Sequence, residues 1–331
     1  MLGPTLATIA ALACSFTWGG LQALLIAVLL AVMEVSLSFD NAVVNAAVLR
    51  RMSPRWQRAF LTWGILVAVF GMRLLFPILI VAVATDLGML DVARLALNAP
   101  DEYSVHLSAA HTGIAAFGGL FLLMVFLHFV CDEAKDTHWI GWAERRLVAL
   151  GRMEAVEVAL ALAVVLAAQA LVPESERFTV LLAGVSGVAT YVGVKGLAGL
   201  CGDGRGSATV LAGKAGVGAF LYLEVLDASF SLDGVIGAFA MSGDVVVIMT
   251  GLAIGALFVR TLTVQLVRRG TLEEFIYLEH GAHWGIGALA AIMLASLWFH
   301  VPEIVTGLIG VGLILSSLAS SVRHRRTAVA P

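Results

Sequence analysis

Apolar runs long enough to cross a bilayer follow one another through most of this chain, and they limit its fold more than any other feature. A membrane helix needs about 20 predominantly apolar residues. Runs of that kind lie at roughly 4–18, 20–49, 59–85, 111–131, 154–172, 178–201, 208–241, 245–267, 281–299 and 303–321. The first is short, so about nine or ten transmembrane helices are expected. Composition agrees: 60% of the 331 residues are hydrophobic and 13% are charged, with a mean hydropathy of +0.97, whereas a soluble domain carries about 25% charged residues. The chain therefore reads as an all-α polytopic membrane protein whose first partner is the lipid bilayer, and no nucleic-acid partner is expected.

The links between runs alternate in basic content, and basic links stay on the cytoplasmic side. Arg50, Arg51, Arg55 and Arg58 mark the first inside link; Asp86, Asp91, Asp101 and Glu102, against Arg94, mark the next as outside. Lys135, Arg145, Arg146 and Arg152 return inside, 173–177 lies outside, and Arg205 with Lys214 lies inside. Ser242–Asp244 is then outside, Arg268 and Arg269 inside, Val301–Glu303 outside, and the tail Arg323–Arg326 inside. This pattern implies a multi-pass protein of a cytoplasmic (inner) membrane with a cytoplasmic C-terminus. Trp56, Trp139, Trp142 and Trp298 fall at run ends, where amphipathic rings prefer the headgroup layer. Residues 87–110 read either as an interfacial helix on the outer face or as an ordinary loop. The first basic residue is Arg50, so the N-terminus lacks the basic region of a cleavable signal and is expected to be retained. Cys14, Cys131 and Cys201 are odd in number and widely spaced, which predicts neither a disulfide framework nor a thiolate metal site.

Two octets interrupt the apolar pattern with acids: EVSLSFDN, from Glu34 to Asn41, and DASFSLDG, from Asp227 to Gly234. Shifting the sequence by 193 residues sets Ser36–Ala47 against Ser229–Ala240 with four of twelve positions identical, and places Glu34 opposite Asp227. By the alternation of links the first copy runs inward and the second outward. That is an inverted repeat, an architecture that puts transporter sites between two halves at the bilayer midplane. The expected organisation is a single membrane domain over 1–331, with a first repeat half at 20–131, connecting spans at 154–207, a second, inverted half at 208–321 and a basic tail at 322–331. A lone arginine follows each copy, Arg73 at 39 residues from Glu34 and Arg260 at 33 residues from Asp227. Two roles are open to them, pairing with the acids or snorkelling to the interface.

Each charge at the centre of a membrane helix costs about 2.5–3.5 kcal/mol on insertion scales. Glu34, Asp40, Glu224, Asp227 and Asp233 therefore need compensation, and two arginines do not balance five acids. Residues six apart on a helix diverge by about 120°, so the acids of one octet converge only where the helix unwinds. Ser-x-Ser followed by Asn41 or Gly234 suits such a break, and two broken helices are expected. Carboxylates with the supporting Ser36, Ser38, Asn45, Ser229 and Ser231 would then form an oxygen-rich site for a hard cation such as Mn²⁺, Ca²⁺ or Mg²⁺. His280 and His283 lie at the mouth of a span, either as a ligand pair or as interfacial residues without a metal role. No HExxH, GxSxG or phosphate-binding loop occurs, so no catalytic residues, no enzymatic activity and no tightly bound cofactor are expected.

These residues resemble the TerC family of integral membrane proteins. The likeness covers about 20–320 and is carried by EVSLSFDN, LEVLDASFSLDGVIGAFA, the Arg260 span and the YLEHG turn. The chain departs from that family at Gly234, where the family has Ser, and at Gly237, where its proline and alanine are missing. The resemblance implies a divalent-cation transporter, with Mn²⁺ export by alternating access as the leading role. It carries the metal-ligand role over to Glu34, Asp40, Asn41, Asp227 and Asp233, with Asp40 and Asp233 central. Glu224, which faces Ala31 in the repeat register, is the candidate for proton or ion coupling. Two other functions stay open: a non-transporting membrane scaffold with a structural ion, and a proton- or sodium-coupled carrier of another solute. The oligomeric state is left open.

Overall fold

Without water to satisfy exposed peptide groups, a lipid-embedded chain closes its backbone hydrogen bonds within helices, and this chain does so throughout. The computed structural model describes residues 2–85, 87–133, 135, 137–151, 155–201, 213–299 and 301–329, and every element among them is helical. In chain order these are α1 (Leu2–Leu37), α2 (Phe39–Leu49), α3 (Pro54–Leu66), a π-helical stretch (Val67–Leu75), α4 (Phe76–Thr85), α5 (Met89–Asn98), α6 (Pro100–Ala109) and α7 (His111–Cys131). They continue with α8 (Gly141–Gly151), α9 (Val156–Leu171), α10 (Glu174–Cys201), α11 (Gly213–Met241), α12 (Val245–Arg268), α13 (Thr271–Glu274), α14 (Leu278–Ala295) and α15 (Glu303–Val329). Among the described residues six helical stretches are long and apolar enough to cross a membrane: Pro4–Leu37, Pro54–Val83, His111–Cys131, Glu174–Leu197, Val245–Arg268 and Ile304–Thr327. The chain is a multi-pass helical membrane protein.

The first apolar run and the greater part of the second form one helix, α1, with a sharp bend. Gly19 and Gly20 leave helical angles, and Gly20 takes φ 67°, ψ −154°, a conformation open to a residue without Cβ. The bend folds the N-terminal part back, so that Leu12 packs against Ala23, Ala27 and Val247. Residues 89–109 form two helices rather than one, because Ala99 at φ −141°, ψ 65° precedes Pro100, whose ring disfavours a preceding helical residue. Their apolar sides are buried: Val92, Ala96, Tyr103 and Leu107 join Leu30, Val81, Ala238 and Ile248 in one cluster.

Side-chain contacts gather the links at two ends. At one end Arg50 meets Glu273 and Glu279, Arg325 meets Glu274, and the Trp139 indole donates to Ser320. At the other, the Trp18 indole donates to Asp244 at 2.9 Å and the Trp298 indole to the Leu171 carbonyl at 3.2 Å. The links that are rich in arginine by sequence thus share the first, basic end. α2 runs toward that end and α11 away from it. The π-helical stretch with Arg73 and α12 with Arg260 are likewise antiparallel.

A buried charge network as the candidate functional site

Positions 34, 38, 41 and 45 follow a helical spacing of four, three and four residues, which lines Glu34, Ser38, Asn41 and Asn45 along one stripe of α1 and α2. Glu224, Asp227 and Ser231 form the matching stripe on α11. The stripes meet where the Asn41 amide donates to Oδ1 of Asp227 at 2.8 Å. Two guanidiniums complete the contact. Arg73 is ion-paired with Glu34 and lies 3.9 Å from Oδ2 of Asp227. Arg260 donates from Nη1 and Nη2 to the two carboxylate oxygens of Glu224, both at 2.9 Å, and from Nη2 to Oδ2 of Asp227 at 3.3 Å. Asp227 thereby joins both arginines. Glu34, Arg73, Asp227, Arg260 and Glu224 are each at most 5% exposed, so the network is a fully desolvated chain of five charges in which every carboxylate has a guanidinium partner.

Local structure aims each arginine. The helix widens to π geometry over Val67–Leu75, and Nη1 of Arg73 donates to the Ala68 carbonyl within it at 2.7 Å. Arg260 lies over the Phe60 ring at 4.1 Å and donates to the Phe60 carbonyl. Both arginines are buried and paired with the acids instead of snorkelling. Two glycines admit the network. A methyl group on Gly64 would collide with Nη1 of Arg260 and with Glu224, and one on Gly255 would collide with the Cβ and Cγ of Glu34. Each half of the chain thus seats the acid of the other half against a bare backbone.

Asp40 stands apart. Its Oδ1 accepts the Asn41 backbone N–H at 2.9 Å, and its carboxylate has no basic partner among the described residues. It borders a cavity of about 20 Å³ that also touches Ser36, Gly234, Gly285, Thr306 and Gly310, a volume suited to one water or one stripped ion. Gly285 admits it, since a Cβ there would sit 3.1 Å from Oδ2 of Asp40. Among the described residues, the Oδ1 atoms of Asn41 and Asn45 and the Ser231 hydroxyl are buried without hydrogen-bond partners.

Several sequence expectations change. Only the first octet interrupts its helix, at Ser38 (φ −104°, ψ 16°), and even there the N–H of Ser38 reaches the Glu34 carbonyl and that of Ala42 reaches the Ser38 carbonyl, both at 3.0 Å. The second octet lies inside the continuous α11, so the expected second broken helix is absent. Arginine donors satisfy Glu224 and Asp227 directly, and no opened backbone is required to do so. Glu34 and Asp40 accordingly stay on different faces. Among the described residues no group of three or more His, Cys, Asp or Glu is disposed to hold a metal ion. The Asp233 side chain lies outside the described residues. Of the supporting serines, Ser38 donates to Glu34 at 3.3 Å, while Ser36 and Ser229 donate back to the helix carbonyls of Val32 and Val225.

The histidines belong to a second polar cluster at the basic end. Glu144 is fully buried and accepts from His280 Nδ1 at 3.2 Å, Trp284 Nε1 at 3.1 Å and His138 Nδ1 at 3.3 Å, with Lys135 at 3.7 Å. Burial pushes the Glu144 carboxyl up, but the His280 and Trp284 hydrogen bonds and the nearby charges outweigh it and hold the group at about 2. His283 stacks on Phe129 with ring centres 3.6 Å apart. Sequence reading passed over Glu144 and the seating glycines Gly64, Gly255 and Gly285, because a glycine reveals its use only when a partner approaches.

Comparison with known proteins places the chain in one family. The family described as "Protein of unknown function (DUF475)" matches residues 39–328, and the chain belongs to it. No curated protein and no solved structure matches the chain.

Proposed function

We propose that this DUF475 member is a membrane transporter of divalent cations, built as two inverted halves around the acid–arginine network. The observation that carries the reading is a charge surplus. Among the described side chains, Glu34, Glu224 and Asp227 of the network and the neighbouring Asp40, all ionised (−4), against Arg73 and Arg260, both protonated (+2), leave a net charge of −2, the charge that one divalent cation neutralises. The unpartnered amide oxygens of Asn41 and Asn45 add the neutral oxygen donors that hard cations prefer. The small cavity beside Asp40 favours an ion over an organic solute. On this reading the arginines are tethered counter-cations that occupy the acids of one conformation, and an arriving cation displaces them as the halves rock. Mn²⁺ as cargo, export as direction, a cytoplasmic membrane as location and about nine or ten spans rest on the resemblance to the TerC family and on the alternation of basic links.

The test is uptake of Mn²⁺, Ca²⁺ and Mg²⁺ by sealed vesicles that hold purified protein. Wild-type flux that Asp40→Asn abolishes is the expected outcome. Equal flux from both sinks the site assignment, and absence of divalent flux from the wild type sinks the function. The complete pairing of Glu34, Glu224 and Asp227 with arginines favours one other reading, a helix-locking scaffold, which requires wild-type protein to move no ion at all.

A further inference from the structure

At the basic end, α3 and α12 leave a cavity of about 290 Å³ between them, with Leu49, Leu61, Val264 and Val267 in its wall and Arg58 and Arg268 among its polar lining. An adjoining open cleft, also of about 290 Å³, shares Arg58 and adds Arg55, Thr62 and the exposed Trp63. Arg58 stands between the two. Nearby acids are already engaged: Glu273 and Glu279 hold Arg50, and Glu274 holds Arg325. Arg55, Arg58 and Arg268 are exposed and have no acidic partner among the described residues. Guanidiniums in that setting match a phosphodiester in charge and in fork geometry. The apolar wall and Trp63 match the glycerol backbone and upper acyl chain that accompany a lipid headgroup, whereas free phosphate has no use for them.

We propose that this double cleft is a binding site for one anionic phospholipid. The phosphate sits between Arg58 and Arg268 with Arg55 at its rim, and the acyl chains leave along Leu61 and Trp63 into the bilayer. The position gives the lipid a structural consequence. α3 leads through the π-helical stretch to Arg73, and α12 carries Arg260. The lipid therefore bridges the bases of the two helices whose arginines close the central network. The site does not depend on the cation reading.

Full-length protein in detergent micelles is titrated with short-chain phosphatidylglycerol, short-chain phosphatidylcholine and inorganic phosphate, reading the thermal unfolding temperature. Stabilisation by phosphatidylglycerol alone is expected. Arg58→Gln with Arg268→Gln should weaken its apparent affinity roughly thirtyfold, and Arg58→Gln alone roughly fivefold, from the contribution of each basic residue at a membrane surface. The single change provides the reading if the double variant does not fold. Arg323→Gln with Arg326→Gln, in the exposed tail, removes the same charge and should leave affinity unchanged. Equal stabilisation by phosphatidylcholine, an equal response to inorganic phosphate, or an equal loss in the tail variant overturns the site.

Discussion

The two acidic octets share an acid, two serines and an aspartate in register, yet the protein uses them differently. In the first, Ser38 bends the chain, Glu34 reaches Arg73, and Asp40 turns away to a cavity of its own. In the second, α11 runs straight, and Asp227 serves both arginines and Asn41. The difference lies in what each acid finds around it. Glu224 adds a second carboxylate to the α11 stripe, where the first copy has Ala31, and Arg260 reads both acids from one side. A repeated motif fixes which groups are present, while the neighbours decide whether the backbone must open to satisfy them.

The largest effect should come from removing the guanidinium that serves two acids. Arg260→Met leaves Glu224 and Asp227 buried without their main counter-charge and should cost about 3–5 kcal/mol in detergent unfolding. Arg73→Met strands chiefly Glu34 and should fall at the low end of that range, about 3 kcal/mol; the reverse order would break the view of Asp227 as the shared centre. Gly255→Ala, which presses on the Cβ and Cγ of Glu34 and on the Ala31 carbonyl, should cost about 1–3 kcal/mol, and Glu34→Ala in the same background, which removes the Cγ but keeps the Cβ, should relieve only part of it.

Glu144 is a control outside the repeats. Glu144→Gln should cost about 1.5 kcal/mol at neutral pH. Its folded carboxyl titrates at about 2 instead of the usual 4.5, so its contribution is fully present above about pH 4.5 and is lost as pH falls through about 2. The acid limb of a stability–pH curve should flatten in the variant, and an unchanged limb would contradict the His280 and Trp284 contacts. Asp40→Asn should have the smallest effect on stability, about 1 kcal/mol, because no guanidinium among the described residues depends on it, although vesicle transport should stop. A stability loss as large as that of Arg260→Met would place Asp40 inside the network and erase the contrast between the octets.

Much of this arrangement is legible in the sequence. Apolar runs located the helices to within a few residues at 111–131 and 245–267, and the break between the runs 4–18 and 20–49 falls where the chain bends. The arginines at 73 and 260 were singled out with the acids that they meet. The continuous α11 was missed because serine and glycine permit a break without requiring one, and the splitting of 87–110 into two helices turned on Pro100.

The sequence alone determined that the chain is a bundle of membrane helices and that acids and arginines recur in it at fixed spacings. Hydropathy and side-chain spacing are properties of each helix by itself, so they can be read one segment at a time. Only the tertiary structure decided that Asp227 links both arginines, that Glu224 is paired and that Asp40 has no basic partner among the described residues. Those pairings depend on how far each helix is rotated and how closely it approaches its neighbours. Gly64, Gly255 and Gly285 set that approach from positions distant in the chain, by leaving out a side chain where another residue's charge must fit.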